Sequence, residues 1–228
     1  MSRVLPGELI ASAVRPLRAD DAPAVAALHQ NGIPTGFLSS LGPKFLAELY
    51  SVLADSEHGF GFVCDLGESP VGFIACADDT GRFYKEALKK RGVRLALRLL
   101  PHIWRPQALR NSIETVLYPS NLPDDLPAAE ILSIVVTAKA RRRGIGRTLV
   151  RRAMAAFRGR GIKQAIVSAG AENGPAEALY RDCGFDVAHT RKHHGLPMAT
   201  YVADTDAMTT GRMSQTAASS PDVPLAIP

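Results

Sequence analysis

Residues 130–158 read EILSIVVTAKARRRGIGRTLVRRAMAAFR, and this stretch decides the fold. Ile131 to Val136 is a run of strand length, apolar but for Ser133 and rich in β-branched residues. Arg141 to Gly146 is a basic turn holding two glycines. From Thr148 to Arg158, Leu149, Ala153, Met154 and Phe157 recur at helical spacing. The first amides of a helix lack internal partners and carry partial positive charge. Glycines let such a turn approach a ligand, and arginines add charge, so the device suits a phosphate or pyrophosphate. It is not a dinucleotide fingerprint, because Leu149 stands where the third glycine belongs, and no GK[ST] makes it a P-loop. Taken alone, the turn has a lesser alternative reading as a solvated basic helix start.

Working forward, Ala165–Ser168 reads as a strand. Pro175–Cys183 reads as a helix with Ala176, Leu179, Tyr180 and Cys183 on one face, closed by Gly184. Phe185–Thr190 and Met198–Ala203 follow as strands. Working backward, Val14–Leu17 reads as a strand, and Asp20 and Asp21 ahead of Pro23 announce a helix carrying Val25 and Leu28. Gln30–Gly36 reads as a loop. Pro43 opens a helix with the stripe Phe45, Leu46, Leu49, Val52 and Leu53. Gly59–Leu66 and Val71–Ala77 form a hairpin. Residues 82–100 are expected to form a basic helix breaking at Gly92. Leu109, Ile113, Val116 and Leu117 mark another helix, and Tyr118–Pro127 a connector.

Strand–helix alternation after residue 130 implies parallel pairing, and the hairpins imply antiparallel neighbours. The expected architecture is α/β: one domain over residues 12–203, with a mixed central sheet of about six to seven strands flanked by helices. A helical insertion over about residues 82–120 separates the hairpin from the strand at Ile131. Residues 204–228 lack large apolar groups and are expected to be disordered.

The 228 residues, 46% hydrophobic and 21% charged, fit one soluble domain with a buried core. No run of 18 apolar residues exists, and the N-terminus lacks the apolar region of a secretory signal. Cys64, Cys76 and Cys183 are odd in number with no CxxC, which argues for a reducing compartment, the cytoplasm. Residues 82–110 carry a net charge of +8, residues 139–163 carry +10, and the remainder carries −13. Two such zones imply an anionic partner. Few aromatics stand beside the basic residues, so stacking on nucleic acid is poor and that partner is not expected. His189, His193 and His194 read as polar surface or as lining for an acceptor, with no metal expected.

Strand, Arg-x-x-Gly-x-Gly, helix, strand, then Asn173, Ala176, Tyr180 and Gly184-Phe185 at these spacings resembles the GNAT acyltransferase superfamily. The likeness is close over residues 130–190 and looser ahead of them. It departs at Ala138, often proline in the family, and at Arg142, often glycine. The resemblance implies a GNAT fold and an enzyme that moves an acetyl group from acetyl-CoA to an amine: a small amine, an amino sugar or a peptide amine. It implies that Arg141, Arg142, Arg143, Gly144, Ile145, Gly146, Arg147 and Thr148 hold the pyrophosphate. Backbone of Ile134, Val135 and Val136 would pair with the pantetheine arm in the gap between two splayed parallel strands. A bulge would free a backbone N–H of Val135 or Val136 for the oxyanion. Asn173 would touch the cofactor or order the next helix. Tyr180 would protonate the leaving sulfur. Glu130 stands where one branch of the family carries a base, and is otherwise an exposed acid closing the connector. A binding module without turnover is the second reading, and homodimers are common in the family. The basic helix could rest on an anionic membrane, but a solvated face packed on the sheet is the better reading.

Overall fold

The computed structural model describes residues 7–34, 37–67, 69–99, 126–193 and 196–206. One sheet is built from β1 (Val14–Pro16), β2 (Gly59–Asp65), β3 (Pro70–Ala77), β4 (Glu130–Val136), β5 (Gln164–Gly170), β6 (Asp186–His193) and β7 (Leu196–Asp204). Their order across it is β1-β2-β3-β4-β5-β7-β6. The helices are α1 (Gly7–Ser12), α2 (Ala22–Gly32), α3 (Phe37–Ser40), α4 (Pro43–Ala54), α5 (Thr80–Leu99), α6 (Ile145–Gly159) and α7 (Gly174–Asp182). Only β4 and β5 pair in parallel; the other neighbours are antiparallel, as the hairpin and crossover patterns require.

Each face of the sheet buries its own apolar layer. On one face α6 lays down Ile145, Leu149, Val150, Ala153, Met154 and Phe157, with its arginines turned outward. Tyr180 and Phe185 extend that layer toward β5 and β7. On the other face α2, α4 and α5 cover β3 and β4 with Val25, Leu46, Leu53 and Phe83 around Phe73.

Three boundaries move from the sequence reading. α2 runs on to Gly32 through residues expected as loop, because Ile33 N–H still finds the His29 carbonyl at 2.8 Å. α5 kinks at Arg91 (φ −140°, ψ 21°), next to the expected Gly92, where the Arg91 guanidinium reaches Glu48 of α4 at 2.9 Å. β7 includes Asp204, and Thr205 is 2% exposed, its hydroxyl donating to the Ile162 carbonyl at 2.8 Å, so order extends past the expected tail boundary. The helix expected around Leu109 to Leu117, most of the connector, and the tail after Asp206 lie outside the described residues.

The decisive irregularity lies in β4. Ala75 pairs with Ser133 and Cys76 with Ile131, so Leu132 is an extra residue, a bulge. On the other side β4 meets β5 only at Glu130–Ile166 and Ile131–Val167. Beyond Ile131 the two strands part, while β5 stays paired to β7 along its whole length.

Candidate active site

The turn between β4 and α6 opens with a 3-10 segment, Ala138–Ala140. Gly144 caps α6 in the left-handed region (φ 83°), a conformation that costs a side chain about 1 kcal/mol or more. Arg142 also sits at positive φ (60°), which accounts for glycine being common there in the family it resembles. The first amide of α6 with a backbone partner is that of Thr148, to the Gly144 carbonyl at 3.0 Å. Among the described residues no backbone carbonyl accepts from the amides of Arg142, Arg143, Gly144, Ile145, Gly146 or Arg147. Six consecutive amides without a backbone acceptor thus stand at the positive end of a helix dipole.

The arginines of this turn divide by role. Arg141 Nε donates to the Val136 carbonyl at 3.0 Å, and Arg147 pairs with Asp182 of α7 at 2.6 Å. Arg142 and Arg143 make no ion pair among the described residues, and Arg143 Nε is buried without a hydrogen-bond partner. The Thr148 hydroxyl donates to the Gly144 carbonyl at 3.1 Å, so only its lone pairs face outward.

Backbone direction inside the gap follows from two hydrogen bonds. Ile166 N–H donates to the Ala129 carbonyl (2.9 Å), so before the bulge the odd-numbered residues of β4 face β5. Thr137 N–H donates to the Val71 carbonyl (2.8 Å), so after the bulge the odd-numbered residues face β3. Ile134 and Val136 therefore present their N–H and C=O groups to the gap. Val135 does not: it pairs with Phe73, and its side chain is buried in the α2/α4 layer. The bulge at Leu132, three residues earlier than Val135, produces this exchange.

Tyr180 lies on α7, 4% exposed, with the rings of Tyr201 and Phe185 at 5.5 and 5.9 Å. α7 ends in a Schellman motif: Phe185 N–H bonds the Tyr180 carbonyl (3.0 Å) and Gly184 N–H the Arg181 carbonyl (2.9 Å), with Gly184 at φ 78°. The spacing Tyr-x-x-x-Gly-Phe is thus the helix stop that fixes the tyrosine. Burial raises the phenol pKa well above its usual value, so the group holds its proton at neutral pH. At the other end of α7, Asn173 is the N-cap, its side chain accepting from Ala176 N–H at 3.2 Å. That realises the helix-ordering alternative for this residue.

Glu130 is 4% exposed and accepts from the Thr80 hydroxyl at 3.2 Å, so it is not an exposed acid at the end of a connector. Thr80 heads α5, and Glu130 alternates with Ala129 and Ile131 of the α6 layer. Glu130 therefore faces the α2/α4/α5 side, at the apex of the gap, while Tyr180 lies on the opposite side of the sheet. Sequence reasoning missed the polar residues that share Glu130's face. Ser133 is 8% exposed on β4, and the Ser168 and Thr200 hydroxyls meet at 3.0 Å across β5 and β7. Periodicity could have found Ser168 and Thr200, but Ser133 is hidden by the bulge.

Cys64, Cys76 and Cys183 are free, buried thiols, and burial pushes Cys183 up to about 11. Among the described residues no group of three metal-ligating side chains occurs, and no helix is long and apolar enough to cross a membrane. The side chains of His193 and His194 lie outside the described set.

Sheet order, a parted parallel pair and an amide-lined helix start are the arrangement that the resemblance implied for a GNAT-type acyltransferase. Residues 32–185 match the model of the Acetyltransferase (GNAT) family, and the chain belongs to that family. No curated protein matches the chain. Among solved structures it is similar to the ribosomal-protein-S18-alanine N-acetyltransferase from Escherichia coli, at 16% identity over 84% of this chain and 92% of that one (TM-score 0.53). It is similar to an N-acetyltransferase from Staphylococcus aureus Mu50, at 17% identity over 84% and 97% (TM-score 0.55). It is also similar to Arabidopsis thaliana NAA60 in complex with acetyl-CoA, at 14% identity over 84% and 97% (TM-score 0.54). At these identities the likeness is one of fold.

Proposed function

We propose that the chain is an N-acetyltransferase that moves an acetyl group from acetyl-CoA to a primary amine by direct attack in a ternary complex. One observation carries the reading: the run of free amides from Arg142 to Arg147 opens beside the gap between β4 and β5. An anion is satisfied at the first, and an extended amide-bearing chain at the second.

The residues fit the cofactor. Arg143 carries an orphaned buried Nε, and Arg142 is an uncommitted cation; both would meet the pyrophosphate together with the turn amides and the Thr148 lone pairs. Gap-facing backbone of Ile134 and Val136 would pair with the pantetheine amides. Acetyl-CoA supplies a thioester carbonyl and a thiolate leaving group.

The chain's own groups then divide the work. The Ile134 or Val136 N–H donates toward an oxyanion in the gap. Tyr180, protonated, donates from the α6/α7 side toward sulfur. Glu130, at the gap's apex on the other side, receives the amine's proton directly or through water. Acid and base on opposite faces of the sheet keep the two proton transfers apart. The acceptor is an amine of one of three kinds: small amine, amino sugar or peptide amine. Three buried thiols support a reducing, cytoplasmic setting.

The test is coenzyme A calorimetry followed by acetyl-CoA turnover against a mixed amine library read by mass spectrometry. Binding and turnover are expected. Gly144→Asp should abolish binding, since it places a side chain and a negative charge at the left-handed cap of the turn. Binding without turnover on any amine makes the chain a binding module, and absence of binding removes the reading altogether.

A further inference from the structure

α5 carries apolar side chains on its outer side. Before the kink at Arg91 it turns Phe83 and Ala87 into the α2/α4 layer, and after the kink Leu95 is the buried residue. Val93 and Leu97 stand two residues to either side of Leu95, about 200° around the helix from it. They therefore point away from the protein, 77% and 58% exposed, and Leu88 before the kink is 50% exposed. Five large apolar side chains are exposed among the described residues, and three of them lie on this one helix. Single exposed apolar groups are ordinary, but several on one element mark a contact surface.

Cations frame these side chains. α5 holds seven Lys or Arg and one Glu. Arg82 pairs with Asp79 (3.3 Å), Lys90 with Glu86 (2.5 Å), and Arg91 and Arg94 share Glu48 (2.9 and 3.8 Å). Lys85, Lys89 and Arg98 make no ion pair among the described residues. Arg94, at the longer distance, keeps its side chain mostly exposed. Lys85 and Lys89 lie one turn apart beside Leu88, and Arg94 and Arg98 lie one turn apart beside Val93 and Leu97. The face expected from the sequence to be merely solvated is thus aliphatic at its centre and basic at its flanks.

That combination selects among partners. A second copy of the chain would set cations against cations across a two-fold axis. Nucleic acid would use the charge, but it gains little from aliphatic side chains, and no aromatic ring stands on this face to stack on a base. A bilayer with anionic headgroups uses both features. Lys and Arg reach phosphates and carboxylates at the surface, while aliphatic side chains enter the boundary between headgroups and acyl chains. α5 is not apolar enough to cross the bilayer, so it would lie along the surface.

We propose that the outer face of α5 docks the protein on an anionic bilayer, with Leu88, Val93 and Leu97 entering the headgroup boundary and Lys85, Lys89, Arg94 and Arg98 meeting the lipid charges. The inference stands apart from the acetyl-transfer reading. α6 lies on the opposite face of the sheet, so its outward arginines are turned away from the bilayer and take no part.

Flotation of the full chain with phosphatidylcholine vesicles containing about one-third phosphatidylserine, in about 0.1 M salt, tests it. Capture on these vesicles is expected, with none on pure phosphatidylcholine. Val93→Ser with Leu97→Ser, and separately Lys85→Gln with Lys89→Gln, should each lower the partition coefficient about ten-fold. Arg151→Gln with Arg152→Gln, the same charge change on α6, should alter it less than about two-fold. All of these sites are exposed, so every variant should keep the wild-type circular dichroism spectrum. No capture on the anionic vesicles overturns the proposal, as does equal capture on pure phosphatidylcholine. Undiminished capture of the Val93/Leu97 variant, or an equal loss in the Arg151/Arg152 variant, overturns it as well, because bulk charge alone would then be responsible. A dimer in ultracentrifugation that the Val93/Leu97 variant loses would give the face to a second copy and overturn it too. Coenzyme A plays no part in the readout, so failure here and failure of the acetyl-transfer reading are separate results.

Discussion

Arg141 Nε donates to the Val136 carbonyl at 3.0 Å, tying the turn to the last residue of the strand it leaves. That carbonyl is one of the backbone groups facing the gap, so Nε of this arginine is already engaged at the end of the slot. Arg141→Ala is expected to change the coenzyme A Kd by less than about three-fold, whereas Arg143→Ala, which removes an uncommitted guanidinium, should weaken it about ten-fold or more. Calorimetry on both variants decides; a larger loss at Arg141 would return it to the anion site.

Arg142 holds a left-handed conformation at φ 60° without glycine's freedom. Arg142→Gly should relieve strain of about 1 kcal/mol and raise the melting temperature by a few degrees. A melting temperature that stays level or falls would mean that the turn stores no such strain.

Tyr180 is the donor whose proton burial retains. Tyr180→Phe should lower kcat by about 10² or more while leaving the coenzyme A Kd within about three-fold. Equal losses in both would make the tyrosine a packing residue of the α6/α7 layer, beside Tyr201 and Phe185.

Glu86 of α5 joins that helix to the loop between α4 and β2. Burial opposes its ionisation, but hydrogen bonds from Lys90, Ser56 and the amides of Glu57 and His58 outweigh it and bring its pKa down to about 2. Its folded pKa lies below the ordinary value of 4.5, so its contribution is complete above that value and fades as pH falls toward 2. Glu86→Gln should cost about 1–3 kcal/mol at pH 7. The gap between variant and wild type should narrow in melts taken from pH 4.5 down to pH 2; a constant gap would show that the carboxylate's charge plays no part.

The sequence by itself determined the parts whose causes are local. The stripe from Leu149 to Phe157 makes an amphipathic α6, Gly144 permits the cap ahead of it, and Gly184-Phe185 stop α7 in a motif that fixes Tyr180. Each is a matter of a few neighbouring residues obeying helical period or turn sterics, so each is readable along the chain. Only the tertiary structure decided which backbone groups of β4 face the gap. That depends on the Leu132 bulge, visible only in the register against β3, and it removed Val135 while keeping Ile134 and Val136. It likewise decided that Glu130 is buried under Thr80, fifty residues away, and that His29 and Tyr50 meet. Pairing register and long-range burial are set by where distant segments dock, and no spacing within β4 records that.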